Sequence, residues 1–350
     1  MNTEYDVTIG LPVYNVEKYI KKSLLSALNQ NFDGKIEILV INDCTRDQSM
    51  KVVEELKKSH HNGENIHILD QPVNKGLGEA RNRIIENFQG KYVYFMDSDD
   101  YISNDCIQKL FDEAEKIEAN VVYGGIICVD EYGAPIYGGL NYLKQEYKVF
   151  TKTDEFASYV FQDMHQRLRD FVTNILYRGR FLIDNHLKFK PVRFYEDVMF
   201  SADFVPLISK GVILPDATYN YIIRNDSLSN YQGRTHIELK EIETFFSIYL
   251  YIKNKNKELK SKPYYEARCA RSMVQMFFII SGILKNRKVI NPPITDIMIR
   301  NAMKHPSSFC EILKFRNFKI INLAFYMIGI LPSHLSVFLI NFIAKKKRLI

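Results

Sequence analysis

The sequence predicts an α/β fold, a mostly parallel sheet flanked by helices, with a helical C-terminal extension. Three observations predict it. Short apolar runs alternate with helical periodicity through the first 125 residues, polar and acidic residues recur just after those runs, and the last hundred residues change composition sharply. The 350 residues are 46% hydrophobic and 25% charged, which excludes a disordered, collagen-like or disulfide-scaffold chain.

Taken in order, residues 7–11 form a short apolar run ended by Pro12. Residues 17–29 have helical spacing, with Ile20, Leu24, Ala27 and Leu28 on one face. Residues 36–41 are continuously apolar, as expected for a strand buried on both faces. A helix over 47–59, a strand over 66–69, a helix over 77–88, a strand over 92–96, a helix over 104–117 and a strand over 121–123 follow. This βαβα rhythm implies a mostly parallel sheet with helices on both faces. Residues 126–235 are less regular, and Gly124, Gly125, Gly133, Gly138 and Gly139 punctuate their first part. Here 156–161 and 169–176 read as helices, and 212–215 and 219–223 as short strands. Residues 237–285 read as two longer helices, the second mainly apolar over 273–284.

Charge divides the chain. Residues 1–250 carry 28 basic and 37 acidic side chains, and residues 251–350 carry 19 basic and 4 acidic, so a net of −9 is followed by +15. A basic tail on an acidic body implies an anionic partner. Residues 320–344 are 25 positions with no Asp, Glu, Lys or Arg, followed by Lys345-Lys346-Lys347-Arg348. A membrane span needs ~20 apolar residues, but Pro332, Ser333 and His334 interrupt this run. Two short apolar helices lying in a membrane interface, their basic end toward anionic headgroups, fit better than one span. The alternative is a buried helical hairpin with a solvated basic end, and the charge of the tail favours the membrane surface. The apolar tail is atypical of nucleic-acid binding, and no nucleic-acid partner is expected. Five scattered cysteines without a C-x-x-C spacing make a zinc site or disulfide framework improbable. The first six residues hold two acids and no base, so no signal peptide is expected. The expected location is cytoplasmic, peripheral at the inner face of the cell membrane.

In open α/β sheets ligands bind beyond the carboxyl ends of the strands. The residues there are Pro12, Val13, Tyr14 and Asn15, then Asn42 and Asp43, then a glycine-containing loop over 70–78, then Asp97-Ser98-Asp99-Asp100. Three carboxylates in four residues repel one another, and hard oxygen ligands at this spacing suit Mg²⁺ or Mn²⁺ shared with a diphosphate. The competing reading is a helix cap at Asp99 or Asp100. Asp43 either accepts N–H bonds from a ligand or closes its own turn. Arg81 either offsets the acidic rim, contacts a nucleotide, or forms a surface ion pair. Glu196-Asp197 offers a general base, against the plainer reading of a helix start.

Together these motifs resemble the family 2 inverting glycosyltransferases of the GT-A fold, a Rossmann-like architecture. The opening run 7–19 with Leu11-Pro12-Val13-Tyr14-Asn15, the run 37–47 with Asn42-Asp43, the loop Asn74-Lys75-Gly76-Leu77-Gly78-Glu79-Ala80-Arg81-Asn82, the Asp97-Ser98-Asp99-Asp100 cluster and Tyr195-Glu196-Asp197 carry the resemblance. So does Tyr219-Asn220-Tyr221 with Arg224 and Ser227-Leu228-Ser229. The resemblance implies a GT-A domain over 1–235, with a nucleotide-binding half at 1–125 and an acceptor half at 126–235. Residues 236–350 then form a helical region with an apolar, basic membrane-surface tail.

The resemblance also implies roles. Pro12, Tyr14, Asn15 and Glu17 line the nucleotide pocket, with Lys75 and Ser98 beside it. Asp43 reads the uracil N3–H, Arg81 helps hold base or phosphate, and Asp97 contacts the nucleotide sugar. Asp99, with Asp100, holds Mn²⁺ or Mg²⁺, and Asp197 takes the acceptor proton with Glu196 as its neighbour. The implied reaction moves one sugar from a nucleotide-sugar donor, UDP-linked, to a glycan or polyprenyl-linked oligosaccharide of a surface polysaccharide. With no Trp, the chain lacks the Trp-containing motif of processive members, which argues for a single addition. Two departures bear on the second loop: Asn42 stands where the family usually has Asp, and Cys44 where it usually has Gly. The alternatives are a sugar nucleotidyltransferase, whose Gly-rich basic loop is missing after the first strand, and a non-catalytic membrane-associated binding protein.

Overall fold

A computed structural model of the chain describes residues 3–136, 146–163, 168, 170–223 and 236–349. The chain divides into two compact units, Met1–Phe156 with Arg167–Asn225, and Ala157–Gln166 with Asp226–Ile350.

In the first unit, strands β1 (Tyr5–Val13), β2 (Ile36–Asn42), β3 (Ile66–Asp70) and β4 (Gly90–Phe95) alternate with helices α1 (Ile20–Leu28), α2 (Ser49–Ser59) and α3 (Leu77–Asn87). The four strands pair in parallel, in the order β3-β2-β1-β4. There follow β5 (Tyr101–Ile102), α4 (Cys106–Ile117), β6 (Val121–Val129), β7 (Lys148–Phe150), α5 (Glu155–Gln162), which runs on into the second unit, β8 (Ile175–Arg178), α6 (Gly179–Asp184), α7 (Glu196–Phe204) and β9 (Gly211–Ile222). The full order is β3-β2-β1-β4-β8-β6-β9-β5, with β7 on β9. β8 runs antiparallel to both of its neighbours, while β6 and β9 are parallel.

The alternation along β1 shows how the sheet is covered. Val7, Ile9, Leu11 and Val13 join one core with Ile20, Leu24 and Ala27 of α1, Val53 of α2 and Leu110 of α4. On the opposite face a Cβ at Gly10 would lie 2.6 Å from Ile84, so the missing side chain is what lets α3 settle against β1. Farther along this face an aromatic cluster forms, with Phe189 and Phe200 stacked at 4.0 Å and Phe95 edge-on to Phe189 at 5.6 Å.

Four elements differ from the sequence expectation. β1 does not stop at Pro12: Pro12 pairs with Ile41 and Val13 with Asn42. The β4 ladder on the other side of β1 ends at Gly10, so a residue without an N–H breaks no bond there. The two short strands expected around Pro215 are one, β9. Between Tyr123–Ile213 and Gly125–Ala217 the β9 chain gains two residues in a bulge. Pro215 sits in that bulge, where no ladder donor is needed. The strand expected over 121–123 continues to Val129 for the same reason, since it follows β9 beyond the bulge. Finally, where a helix is expected over 169–176, residues 170–174 form a bend and turn leading into β8, whose apolar residues fill the gap between β4 and β6.

The second unit is helical: α8 (Leu239–Glu258), α9 (Tyr265–Lys285), α10 (Asp296–Ala302), α11 (Phe309–Leu313), α12 (Lys319–Ile330) and α13 (Ser333–Lys346). A short parallel pair, β10 (Ile237–Glu238) and β11 (Ile290–Asn291), ties the start of α8 to the chain after α9. α9 has the length and composition to cross a membrane, but 67% of that stretch is buried within the protein, as in a core helix. Its charged residues are held locally: Arg268 Nε donates to Asn256 Oδ1 at 2.5 Å, and Arg271 donates to the Val160 carbonyl at 2.7 Å. The apolar tail forms two short helices parted at Leu331-Pro332, as its interruption predicts.

Candidate active site

The carboxyl ends of β1, β2 and β4 bring the predicted rim together. The loops after β1 and β2 are laced to each other. Asn15 accepts from the Arg46 N–H at 3.0 Å and its own N–H donates to Thr45 Oγ1 at 2.6 Å. Glu17 accepts from the Gln48 N–H at 3.0 Å, and the Glu17 N–H donates to Asp47. Burial pushes Asp47 upward, but hydrogen bonds from Ser49, the Glu17 backbone and Thr45 outweigh it and hold the carboxyl below its ordinary range. Asn15 and Glu17 therefore build the wall of this rim. Pro12 is buried in β1, and Tyr14 stands exposed at the edge.

Both departures in the second loop have a place here. Cys44 adopts φ 59°, the left-handed conformation that suits glycine, so the loop keeps a glycine-like path. Asn42 donates to Asp70 Oδ1 at 2.7 Å and accepts from the Thr45 N–H at 2.9 Å, a pair of roles a carboxylate cannot fill.

Asp43 is buried and organises the next loop. Its carboxylate accepts from Gln71 Nε2 at 2.9 Å, from the Lys75 N–H at 2.8 Å and from the Gly76 N–H at 2.9 Å. A carboxylate has about four lone-pair positions, so most of its capacity goes to shaping residues 71–76. Gly76, at φ 89°, lets the chain turn from this loop into α3. The Lys75 side chain is exposed.

At the end of β4, Asp97, Ser98, Asp99 and Asp100 part company. The Asp97 N–H donates to Tyr219 Oη at 3.2 Å, and its carboxylate stays partly exposed. Ser98 is buried and Asp99 half-buried. Asp100 is 2% exposed and accepts from Tyr219 Oη at 2.8 Å and from the Ile222 N–H at 2.8 Å, clasping β9. Burial, then the charges of Asp99 and Asp97, push its pKa well above the usual carboxylate range. Neither Asp99 nor Asp100 caps the next helix, which begins only at Cys106 after Asp105. A hard divalent cation takes one or two protein carboxylates and completes its shell with phosphate oxygens and water. The Asp99 carboxylate has the chemistry such a site needs, and the Asp100 oxygens accept from Tyr219 and Ile222. No group of three or more His, Cys, Asp or Glu able to hold a metal forms among the described residues.

Arg81 joins this rim to the predicted base. It is 3% exposed, and its Nη2 donates to Asp97 Oδ1 at 2.7 Å while its Nη1 donates to Glu196 Oε1 at 2.8 Å. Burial works against its charge, but Asp97, Glu196 and Asp197 together raise its pKa. With both terminal nitrogens on carboxylates, Arg81 offsets the acidic rim from a buried position and is not a surface ion pair. Asp197 follows Glu196 in the first turn of α7. Burial and the Glu196 charge push its pKa up to about 7, against the pull of Arg81. Tyr195 enters that helix at φ 61°, an unusual conformation for a bulky residue. Strain of this kind costs of order 1–3 kcal/mol and gathers at functional sites.

The sequence reading did not assign three supporting residues. Tyr219 links the Asp97 backbone to the Asp100 carboxylate. Asn82 brackets Phe189, donating to its carbonyl at 3.0 Å and accepting its N–H at 2.8 Å, which seats the segment leading to Glu196 on α3. Gln71 completes the clasp on Asp43. Each lies in or beside a motif already noted, so proximity to a motif was the available signal. Arg224 and Ser227-Leu228-Ser229 lie outside the described residues.

The model for Glycosyl transferase family 2 matches residues 8–185. The chain belongs to this family. It is 31% identical over 226 residues to the glycosyltransferase GlyA of Streptococcus pneumoniae, covering 64% of this chain and 31% of that protein. It is 25% identical over 222 residues to the poly(ribitol-phosphate) β-N-acetylglucosaminyltransferase TarS of Staphylococcus aureus, covering 63% of this chain and 36% of TarS. The match thus spans about a third of the length of these relatives. A crystal structure of S. aureus TarS 1-349 in complex with UDP-GlcNAc superposes with a TM-score of 0.61 at 18% identity, covering 93% of this chain and 90% of that one. That likeness establishes the GT-A fold, and family membership makes residues 8–185 part of a glycosyltransferase domain.

Proposed function

We propose that the chain transfers one sugar from a nucleotide-sugar, UDP-linked, to a hydroxyl of a glycan or polyprenyl-linked oligosaccharide in cell-surface polysaccharide synthesis, inverting the anomeric centre. The observation that carries this reading is the Asp97–Arg81–Glu196 bridge. It fixes the carboxylate assigned to the donor sugar relative to the segment bearing Asp197. Kinship with TarS, which acts on poly(ribitol-phosphate), and a fold shared with a UDP-GlcNAc complex support the choice of donor and acceptor class.

In this reading the loops after β1 and β2, with Asp43 behind them, shape the nucleotide pocket, and Asp97 orients the donor sugar. Asp197 accepts the proton of the acceptor hydroxyl. A carboxylate with a pKa of about 7 is basic enough to take that proton, and about half of it is ionised at neutral pH. A single displacement needs no covalent sugar–enzyme intermediate, and Glu196 stays bound to Arg81 as the positioning neighbour of the base. Asp99, with Asp100 behind it, would hold Mn²⁺ or Mg²⁺, which when bound supplies charge neutralisation at the departing diphosphate.

A screen of nucleotide-sugars with a glycan acceptor, with and without Mn²⁺, tests this. UDP released only when acceptor is present, and increased by Mn²⁺, is the expected result. Release of pyrophosphate would mark a nucleotidyltransferase, and no turnover with any donor would mark a binding protein.

A further inference from the structure

We propose that the outer face of the α12–α13 hairpin is a docking surface for an anionic lipid bilayer. α12 and α13 each bury one side against α9 and α10. The inward residues include Asn322, Ile328 and Gly329 of α12 and Val337, Ile340 and Ala344 of α13. The opposite sides are apolar yet exposed. Ile320 is 85% exposed, Phe338 64% and Phe342 56%, with Met327, Ile330 and Leu335 also open. In α13 these positions recur every three or four residues, and in α12 they lie seven and then three residues apart, so on each helix they form a stripe. Phe338 and Phe342 lie nearly parallel, 6.5 Å apart, on one such stripe. Exposed apolar stripes of this kind mark an interaction site.

The charge around the stripes identifies the occupant. Residues 312–350 contain seven Lys or Arg and no Asp or Glu. Lys314, Arg316 and Lys319 stand at the start of the hairpin and Lys345 to Arg348 at its end. Apolar stripes with basic clusters just before α12 and at the end of α13 match an anionic interface, where the rings enter the acyl boundary and the long basic side chains reach the headgroups. A second copy of the chain would instead set like charges against one another, which disfavours association. Neither helix spans. With 12 and 14 residues they measure about 18 and 21 Å, short of a hydrocarbon core of about 30 Å. The surface is independent of donor and acceptor identity, so its test reads binding and not turnover.

The full chain is mixed with phosphatidylcholine vesicles, with and without phosphatidylglycerol, and sedimented. Binding is expected only with phosphatidylglycerol and is expected to weaken with salt. Replacing Lys345, Lys346, Lys347 and Arg348 by Ser should weaken it by roughly 600-fold, since each basic residue near an anionic leaflet contributes roughly fivefold. Phe338→Ser with Phe342→Ser should weaken it by about tenfold or more, from the apolar area no longer inserted. The thermal melt of either variant should match the parent, because both sets of side chains face solvent. If the phenylalanine pair does not fold, the basic replacement decides alone. Equal binding to neutral vesicles, or no vesicle binding, overturns the proposal. So does a dimer in sedimentation equilibrium that the phenylalanine pair abolishes, or binding to duplex DNA in place of vesicles.

Discussion

Arg81 Nη1 lies 2.8 Å from Glu196 Oε1, joining α3 to the start of α7 across 115 positions of sequence. The same guanidinium holds Asp97. Removing one partner of a buried ion pair costs about 3–5 kcal/mol because a charge is left behind, and here two carboxylates would be left. Arg81→Met is therefore expected to lower the urea midpoint severely and abolish transfer. Arg81→Lys keeps the charge but not the fork, so it reaches one carboxylate and should show intermediate stability with transfer still crippled. Wild-type values for the lysine variant would show that the bridge is dispensable.

The base predicts a pH limb. With its pKa pushed up to about 7, Asp197 is protonated and inactive below that pH and ionised above it. On this assignment kcat/KM rises with pH through about 7. Arg81 pulls this pKa down, so Arg81→Lys, with its weaker hold, should move the limb to higher pH. Asp197→Asn should reduce transfer by about 10²–10⁴-fold while UDP binding persists. Equal loss of both in titration calorimetry would make the residue structural.

Two neighbouring acids should separate cleanly. Asp99→Ala is expected to lose Mn²⁺-dependent UDP binding. Asp100→Ala strips the Tyr219 hydroxyl and Ile222 N–H of their acceptor in a buried setting. About 1–3 kcal/mol of stability should go with each group left unsatisfied. Calorimetric melts alongside UDP titrations compare the two, and a metal-binding defect confined to Asp100→Ala would reverse the assignment.

That division was not legible in the sequence, where Asp97, Ser98, Asp99 and Asp100 are simply adjacent. Periodicity reports which face of an element is apolar, and it located β1 to β4 and α1 to α4 because each buries a regular face. It carries no word on which distant strand meets a given carboxylate, so the clasp of Asp100 on β9 and the reach of Arg81 to Glu196 appear only in three dimensions. Proline misled for a related reason. Pro12 and Pro215 end strands only where a ladder donor is required, and β4 has already ended beside the one while a bulge accommodates the other.

Cys44 stores strain that glycine would release. A side chain at φ 59° costs roughly 1–2 kcal/mol, and glycine there gives back about 0.5–1 kcal/mol through the freedom of the unfolded chain. The strain is the larger effect, so Cys44→Gly should raise stability by up to about 1 kcal/mol. Cys44→Val, branched at Cβ, should lower it. Urea midpoints of the two variants order the effects, and a glycine variant less stable than its parent would show that the thiol contributes packing that outweighs the strain.

Asn42 makes the opposite case, a departure the fold requires. Its amide donates to Asp70 and accepts from the Thr45 N–H. In Asn42→Asp the acceptor survives, but the donor becomes an oxygen facing the Asp70 carboxylate. Lost hydrogen bonding and like-charge repulsion should together cost about 1–3 kcal/mol at neutral pH, toward the lower end because the pair is solvent-accessible. The repulsive part has a definite sign with pH. Two adjacent carboxylates share a proton more readily than separate ones, so their folded-state pKa rises above the unfolded value. The penalty is then fully present at neutral pH, where both are ionised, and fades as pH falls through that raised pKa toward about 4. Urea midpoints for Asn42→Asp and its parent should differ most near pH 7 and converge near pH 4. A gap that stays constant over this range would assign the loss to geometry, with charge playing no part.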